Sequence, residues 1–75
     1  MSLEQIFSEV LVLPESFVVD SLALRDIATW DSLTHMMLIV RLEENYQIQL
    51  SGDEIADMQS VGDARRVLLA HGISV

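Results

Sequence analysis

No cysteine occurs anywhere in this chain of 75 residues, and that absence is the tightest constraint on what it can fold into. Domains this small bury a modest core, and many lean on disulfides or a metal. Without thiols, neither a disulfide framework nor a cysteine-based metal site exists here. Side-chain packing must hold the fold alone. That favours helices, whose backbone hydrogen bonds are local and whose amphipathic faces pack economically. The material is present: 51% of the residues are apolar and 21% are charged, which sets the chain apart from disordered sequences. No repeat, low-complexity tract or linker-like run divides it, so residues 1–75 read as one domain.

Start and stop signals mark four helices. Ser2 with Gln5 forms a capping box, and Leu3, Ile6, Phe7, Val10 and Leu11 follow at helical spacing until Pro14 stops the helix. From Pro14 to Trp30 the periodicity fails, yet Phe17, Val18, Val19, Leu22, Leu24 and Ile27 are apolar. This connection is expected to lie across the bundle and bury several of them, with Asp20 or Ser21 starting a short helical turn. Connections this long tend to be functional. Asp31 is an N-cap whose charge suits the helix dipole, and it opens a helix over about Ser32–Asn45. Leu38, Ile39, Leu42 and Tyr46 share one face, and Arg41, Glu43 and Glu44 lie away from it. Ser51 with Glu54 opens a short third helix with Ile55 and Met58 inward. Ser60 caps the last, with Val61, Ala64, Val67 and Leu68 as its stripe and Gly72 as its end. The alternation Tyr46, Ile48, Leu50 imitates a strand that has nothing to pair with. The expected fold is an all-α four-helix bundle with a long first loop and a short third helix.

Twelve acidic residues face four arginines and no lysine, for a net charge of −8. Such a surface repels nucleic-acid phosphates and anionic lipid, and favours protein partners. No apolar run approaches the roughly 20 residues of a membrane span. Glu4, Gln5, Ser8 and Glu9 interrupt any signal-peptide pattern. We therefore expect a cytoplasmic monomer that binds neither nucleic acid nor membrane.

Trp30-Asp31-Ser32-Leu33, followed by a helix closing on Arg41-Leu42-Glu43-Glu44, carries a further signal. Asp-Ser-Leu at the start of the second helix resembles the attachment motif of acyl carrier proteins. Downstream come an aromatic residue, Ile-x-Leu, an acidic short helix and Ser-Val-Gly-Asp-Ala, so the resemblance runs along essentially the whole chain. It implies a carrier-type four-helix bundle without catalytic activity, bearing covalent 4'-phosphopantetheine from coenzyme A on Ser32. Asp31 and Leu33 would flank the attachment point. The implied partners are a phosphopantetheinyl transferase and acyl-activating and acyl-accepting enzymes of a fatty-acid, polyketide or other specialised pathway, with Asp31 helping to orient the transferase. A serine at the first position of a helix beside a loop suits that role: its hydroxyl is exposed on a rigid element, and a phosphodiester there meets the positive end of the dipole.

Departures from the family pattern bear on partners. Fatty-acid carriers have acidic residues at the positions of Thr34 and Met37 and a small one at that of Arg41, so this chain points to a dedicated partner. Thr34, Met37, Val40, Arg41 and Glu44 are its candidate docking residues. Leu33, Met36, Met37 and Val40 give the second helix more apolar surface than one core stripe needs, for an acyl cleft or a docking patch; Met36 is assigned to the core. Trp30 replaces the usual small residue and anchors the loop. The paired glycines that precede the serine in peptidyl carriers are missing, which favours acyl over aminoacyl cargo. The alternatives are a peptidyl or aminoacyl carrier, or a helical interaction module without prosthetic group. His35 shares a face with Ser32, but no acid or oxyanion loop completes a catalytic site, so it is read as a packing or partner-facing residue. Asp53, Glu54 and Asp57 lack the ligand spacing of a calcium loop and form a solvated acidic helix.

Overall fold

The computed structural model describes all residues, 1–75, as four helices without a strand: α1 (Leu3–Leu11), α2 (Ser32–Tyr46), α3 (Gly52–Asp57) and α4 (Val61–Ala70). The expected all-α bundle with a long first connection and a short third helix is what forms. Each helix starts where a side chain takes up an orphan N–H group of the first turn. Ser2 Oγ accepts from Gln5 N while Gln5 Oε1 accepts from Ser2 N, at 3.1 and 2.8 Å. Ser51 and Glu54 repeat the reciprocal box at α3, and Ser60 Oγ accepts from Asp63 N at α4. At α3, the Ser51 N–H and the His71 Nε2–H donated from the far end of α4 hold the Glu54 carboxyl below its ordinary range.

Fifteen apolar residues form one core with no buried polar residue among them. α1 contributes Leu3, Ile6, Phe7 and Leu11, spaced to make a single stripe. α2 contributes Leu38, Ile39 and Leu42, and α4 contributes Val61, Ala64 and Leu68. Tyr46, assigned to the same face of α2, is half-buried. Its hydroxyl is out of water without a partner, and burial pushes its pKa up. Met58 and Leu50 close the core beside α3.

The long connection runs over the bundle as expected and buries Val18, Leu24 and Ile27, leaving Phe17 and Val19 exposed. No helical turn starts at Asp20 or Ser21. The short 3-10 turns fall at Glu15–Phe17 and Leu24–Asp26, and Asp20 and Ser21 form only a single turn between them, closed by Leu22 N donating to Val19 O at 2.9 Å. Val61 N donates to Leu22 O (3.1 Å), Gly62 N to Asp20 O (2.9 Å), and Leu24 N to Gln59 O (3.0 Å). The approach is so close that a Cβ on Gly62 would stand 3.0 Å from Asp20 O. Arg65 adds ion pairs to Glu4 and Asp20, joining α1, the connection and α4. No strand forms over Tyr46–Leu50. Gln47 turns the chain with φ 55°, and the Glu43 carboxylate accepts from Leu50 N at 2.9 Å.

α1 ends before Pro14 acts. Val12 sits in the left-handed region (φ 56°, ψ 56°), with its N–H donating to Ser8 O and its side chain 77% exposed. A β-branched residue is strained there. Val12→Gly is expected to stabilise the protein by up to about 1 kcal/mol, the relief of strain being partly offset by glycine's greater entropy in the unfolded chain. Leu42→Ala, which empties a fully buried position, is expected to cost about 2–5 kcal/mol. Urea unfolding at fixed pH measures both, and an unchanged midpoint for Leu42→Ala would contradict its place in the core.

Candidate functional site

The start of α2 is built by local chemistry. Asp31 is extended (φ −154°, ψ −175°), so its Oδ1 can turn back to accept from Thr34 N at 2.8 Å, while its carbonyl accepts from His35 N at 2.9 Å. Thr34 Oγ1 then donates to Thr29 O at 3.1 Å, tying the helix to the end of the long connection. Thr29 Oγ1 in turn donates to Leu11 O at 2.6 Å, which fixes the connection to α1. The Thr34 N–H donated to Oδ1 holds the Asp31 carboxyl below the usual carboxylate range. Ser32 follows as the first residue of α2, exposed, with its hydroxyl outside all of these ties.

One turn on, His35 joins three elements. Trp30 Nε1–H donates to His35 Nδ1 at 3.2 Å, with the rings edge to face, centroids 5.7 Å apart at 83°. His35 Nε2 lies 3.0 Å from Ile55 O in α3. An indole only donates and a carbonyl only accepts, so Nδ1 must accept and Nε2 must carry the proton. The imidazole is therefore neutral, with its tautomer fixed by its neighbours. Both nitrogens are committed, so no Ser32–His35 catalytic pair forms. Trp30 anchors the connection as expected, but the Ile55 carbonyl had no signal in the sequence, because main-chain acceptors have no sequence identity.

From Leu33 onward α2 borders a surface groove. Leu33 (72% exposed), Met36, Met37 and Val40 line an apolar groove of about 610 Å³, which Val10 of α1 and Val12 just past its end complete. Met36 was assigned to the core and is 47% exposed. The core stripe of α2 runs through Leu38, Ile39 and Leu42, and Met36 points into the groove instead. Arg41 pairs with Glu9 at 3.1 Å across the groove's end, and Glu44 is exposed further along α2. Of the candidate docking residues, Met37 and Val40 therefore share the groove and Arg41 rims it. Thr34 is half-buried with its hydroxyl turned to Thr29. Val12 was missed because it lies past the end of α1, and only the helix packing brings it there.

The sequence profile of the family described as "Phosphopantetheine attachment site" matches residues 2–68. The chain is 32% identical over 62 residues to an acyl carrier protein of Acidothermus cellulolyticus, covering 83% of this chain and 74% of that protein. The chain belongs to the acyl carrier proteins. Its backbone superposes on the solution structure of holo acyl carrier protein from Geobacter metallireducens with a TM-score of 0.80 at 34% identity, covering 93% of this chain and 84% of that one.

As a carrier protein it has a phosphopantetheine attachment site, and the start of α2 fits such a group. An exposed hydroxyl stands on a capped helix, and the N–H groups of Ser32 and Leu33 have no main-chain acceptor. In this carrier protein the cap also sets a pH response. A carboxyl with a lowered folded-state pKa contributes stability that is present above its unfolded value and lost as pH falls through the folded one. Asp31→Asn, which can cap without titrating, is expected to lose less stability than wild type between about pH 5 and pH 2. Urea midpoints across that range measure this, and parallel curves would show that Asp31 contributes nothing to acid unfolding.

Proposed function

We propose that Ser32 is the attachment point of the 4'-phosphopantetheine arm, and that the protein holds acyl groups as thioesters for delivery between acyl-activating and acyl-accepting enzymes of the cytoplasm. The observation that carries this reading is Ser32 itself, the exposed first residue of a helix whose cap is already satisfied by Asp31. Arm attachment joins Ser32 Oγ to the β-phosphorus of coenzyme A and releases adenosine 3',5'-bisphosphate. The serine proton must go to a base. The nearest imidazole, His35, is engaged by Trp30 and Ile55, so the partner transferase supplies that base. The arm's thiol provides the thioester chemistry, and the chain contributes a rigid platform, a docking face and shielding.

Leu33, Met37 and Val40 support apolar docking beside the arm, with Arg41 and Glu44 at the rim. The first turn of α2 has no acidic residue in it, although the protein as a whole carries a charge of −8. The chain carries cargo and does not itself catalyse.

The test is intact mass after incubation with coenzyme A and a promiscuous phosphopantetheinyl transferase. Wild type is expected to gain one phosphopantetheine, and Ser32→Ala none, with its melting temperature within a few degrees of wild type because the side chain is exposed. A folded wild-type chain that gains no mass would overturn the reading.

A further inference from the structure

We propose that the cleft between the Leu24–Asp26 turn, α2, α3 and the start of α4 is a subsite for a short acyl group ending in a carboxylate, with Arg25 as its anchor. The inference rests on the reading of Ser32 as the arm's attachment point, and it assigns a class of cargo.

The first observation is a charge inventory. The protein has four basic side chains, all arginine. Arg41 pairs with Glu9, Arg65 with Glu4 and Asp20, and Arg66 with Asp63. Arg25 is the fourth. It has no carboxylate within ion-pair distance and no side-chain hydrogen bond, in a chain with 12 acidic residues.

The second observation is where Arg25 stands. It lines a cleft of about 620 Å³, within the range of small-molecule sites, together with Trp30, His35, Ile55, Ala56 and Met58. Trp30 lies two residues before Ser32 in the chain and His35 three after it, so residues on both sides of the attachment point line the cleft. Its walls are held in place, since the Trp30–His35–Ile55 tie crosses it from the connection to α3. His35 is neutral in that tie and adds no charge. The cleft's one carboxylate, Asp63, is already matched by the Arg66 guanidinium and by the Gln59 N–H at 3.1 Å. What remains is an apolar wall with one uncompensated cation at its edge.

A plain alkyl chain would use the wall and leave Arg25 in water. A chain of similar length ending in a carboxylate would use both, adding a charge-assisted contact partly screened from solvent by the walls. The dependence on Arg25 is sharpened by the field of the protein. At a net charge of −8, an anion brought to this surface is repelled unless a local cation offsets it. With Arg25 removed, the carboxylate would share the cleft with Asp63 and have no guanidinium free to meet it.

Ser32 is to be loaded by a promiscuous transferase from glutaryl-coenzyme A and from hexanoyl-coenzyme A, in wild type and in Arg25→Gln, with loading read by intact mass. Arg25 is exposed and unpaired, so its replacement leaves the core untouched. The glutaryl form of wild type is expected to melt about 4–8 °C above the hexanoyl form, the shift one charged contact gives in a domain of this size. In Arg25→Gln the glutaryl form is expected to melt at or below the hexanoyl form. About 0.5 M salt should shrink the wild-type difference. Equal melting of the two loaded wild-type forms, or a glutaryl increment that survives in Arg25→Gln, would overturn the cargo assignment alone. A chain that takes no mass on Ser32 would overturn the attachment reading and this inference together.

Discussion

The fold depends on a reciprocal exchange of main-chain hydrogen bonds between the long connection and the start of α4. A connection that buries Val18, Leu24 and Ile27 has to bring its own peptide groups close to the core, where an unpaired carbonyl is costly. The first turn of any helix has the complementary problem of N–H groups without acceptors. Here each solves the other: Leu22 O and Asp20 O accept from Val61 and Gly62, and Leu24 donates back to Gln59 O. A side chain at position 62 would push the two apart, which is the physical reason for glycine there.

That exchange positions the functional end of the molecule. Once the connection is fixed to α4, its last residues arrive at α2 in a set geometry: Thr29 O accepts from Thr34 Oγ1, Trp30 Nε1 donates to His35, and Asp31 caps Thr34 N. Ser32 is then the first residue beyond a cap whose side chain is already engaged with Thr34 N. Its exposure follows from the surrounding ties being complete without it. The same geometry lets Leu33, just after Ser32, line an apolar groove, while Trp30 and His35 line a separate cleft that Arg25 borders.

The distribution of charge matters more than its sum. Most of the carboxylates cap helices, accept main-chain N–H groups or pair with arginine: Asp31, Glu43, Glu54, Glu4, Glu9, Asp20 and Asp63 are all engaged in this way. The face nearest Ser32 is left apolar. A partner that recognises it is selected by shape and apolar contact more than by long-range attraction.

Much of this was legible in the sequence because it depends on contacts between residues close along the chain. Capping boxes, the helical stripes and the Asp31-Ser32 helix start are set within a few residues, so spacing alone reveals them. The same holds for the match of the whole chain to the carrier pattern. What the sequence could not decide are outcomes that depend on which surfaces meet. Met36 is assigned to the core in the sequence reading, yet lies in the groove because Leu38, Ile39 and Leu42 already form the buried stripe of α2. The helix start expected at Asp20 or Ser21 is a single turn instead, whose Asp20 and Leu22 carbonyls face outward to accept from Gly62 and Val61. Val12 joined the groove, His35 found the Ile55 carbonyl, and Arg25 was left the one arginine without a carboxylate, all through packing between distant segments. The sequence determined the helices, the attachment motif and the family. Tertiary structure decided the surfaces around Ser32, because a surface is what remains once the core and the main-chain hydrogen bonds have taken what they need.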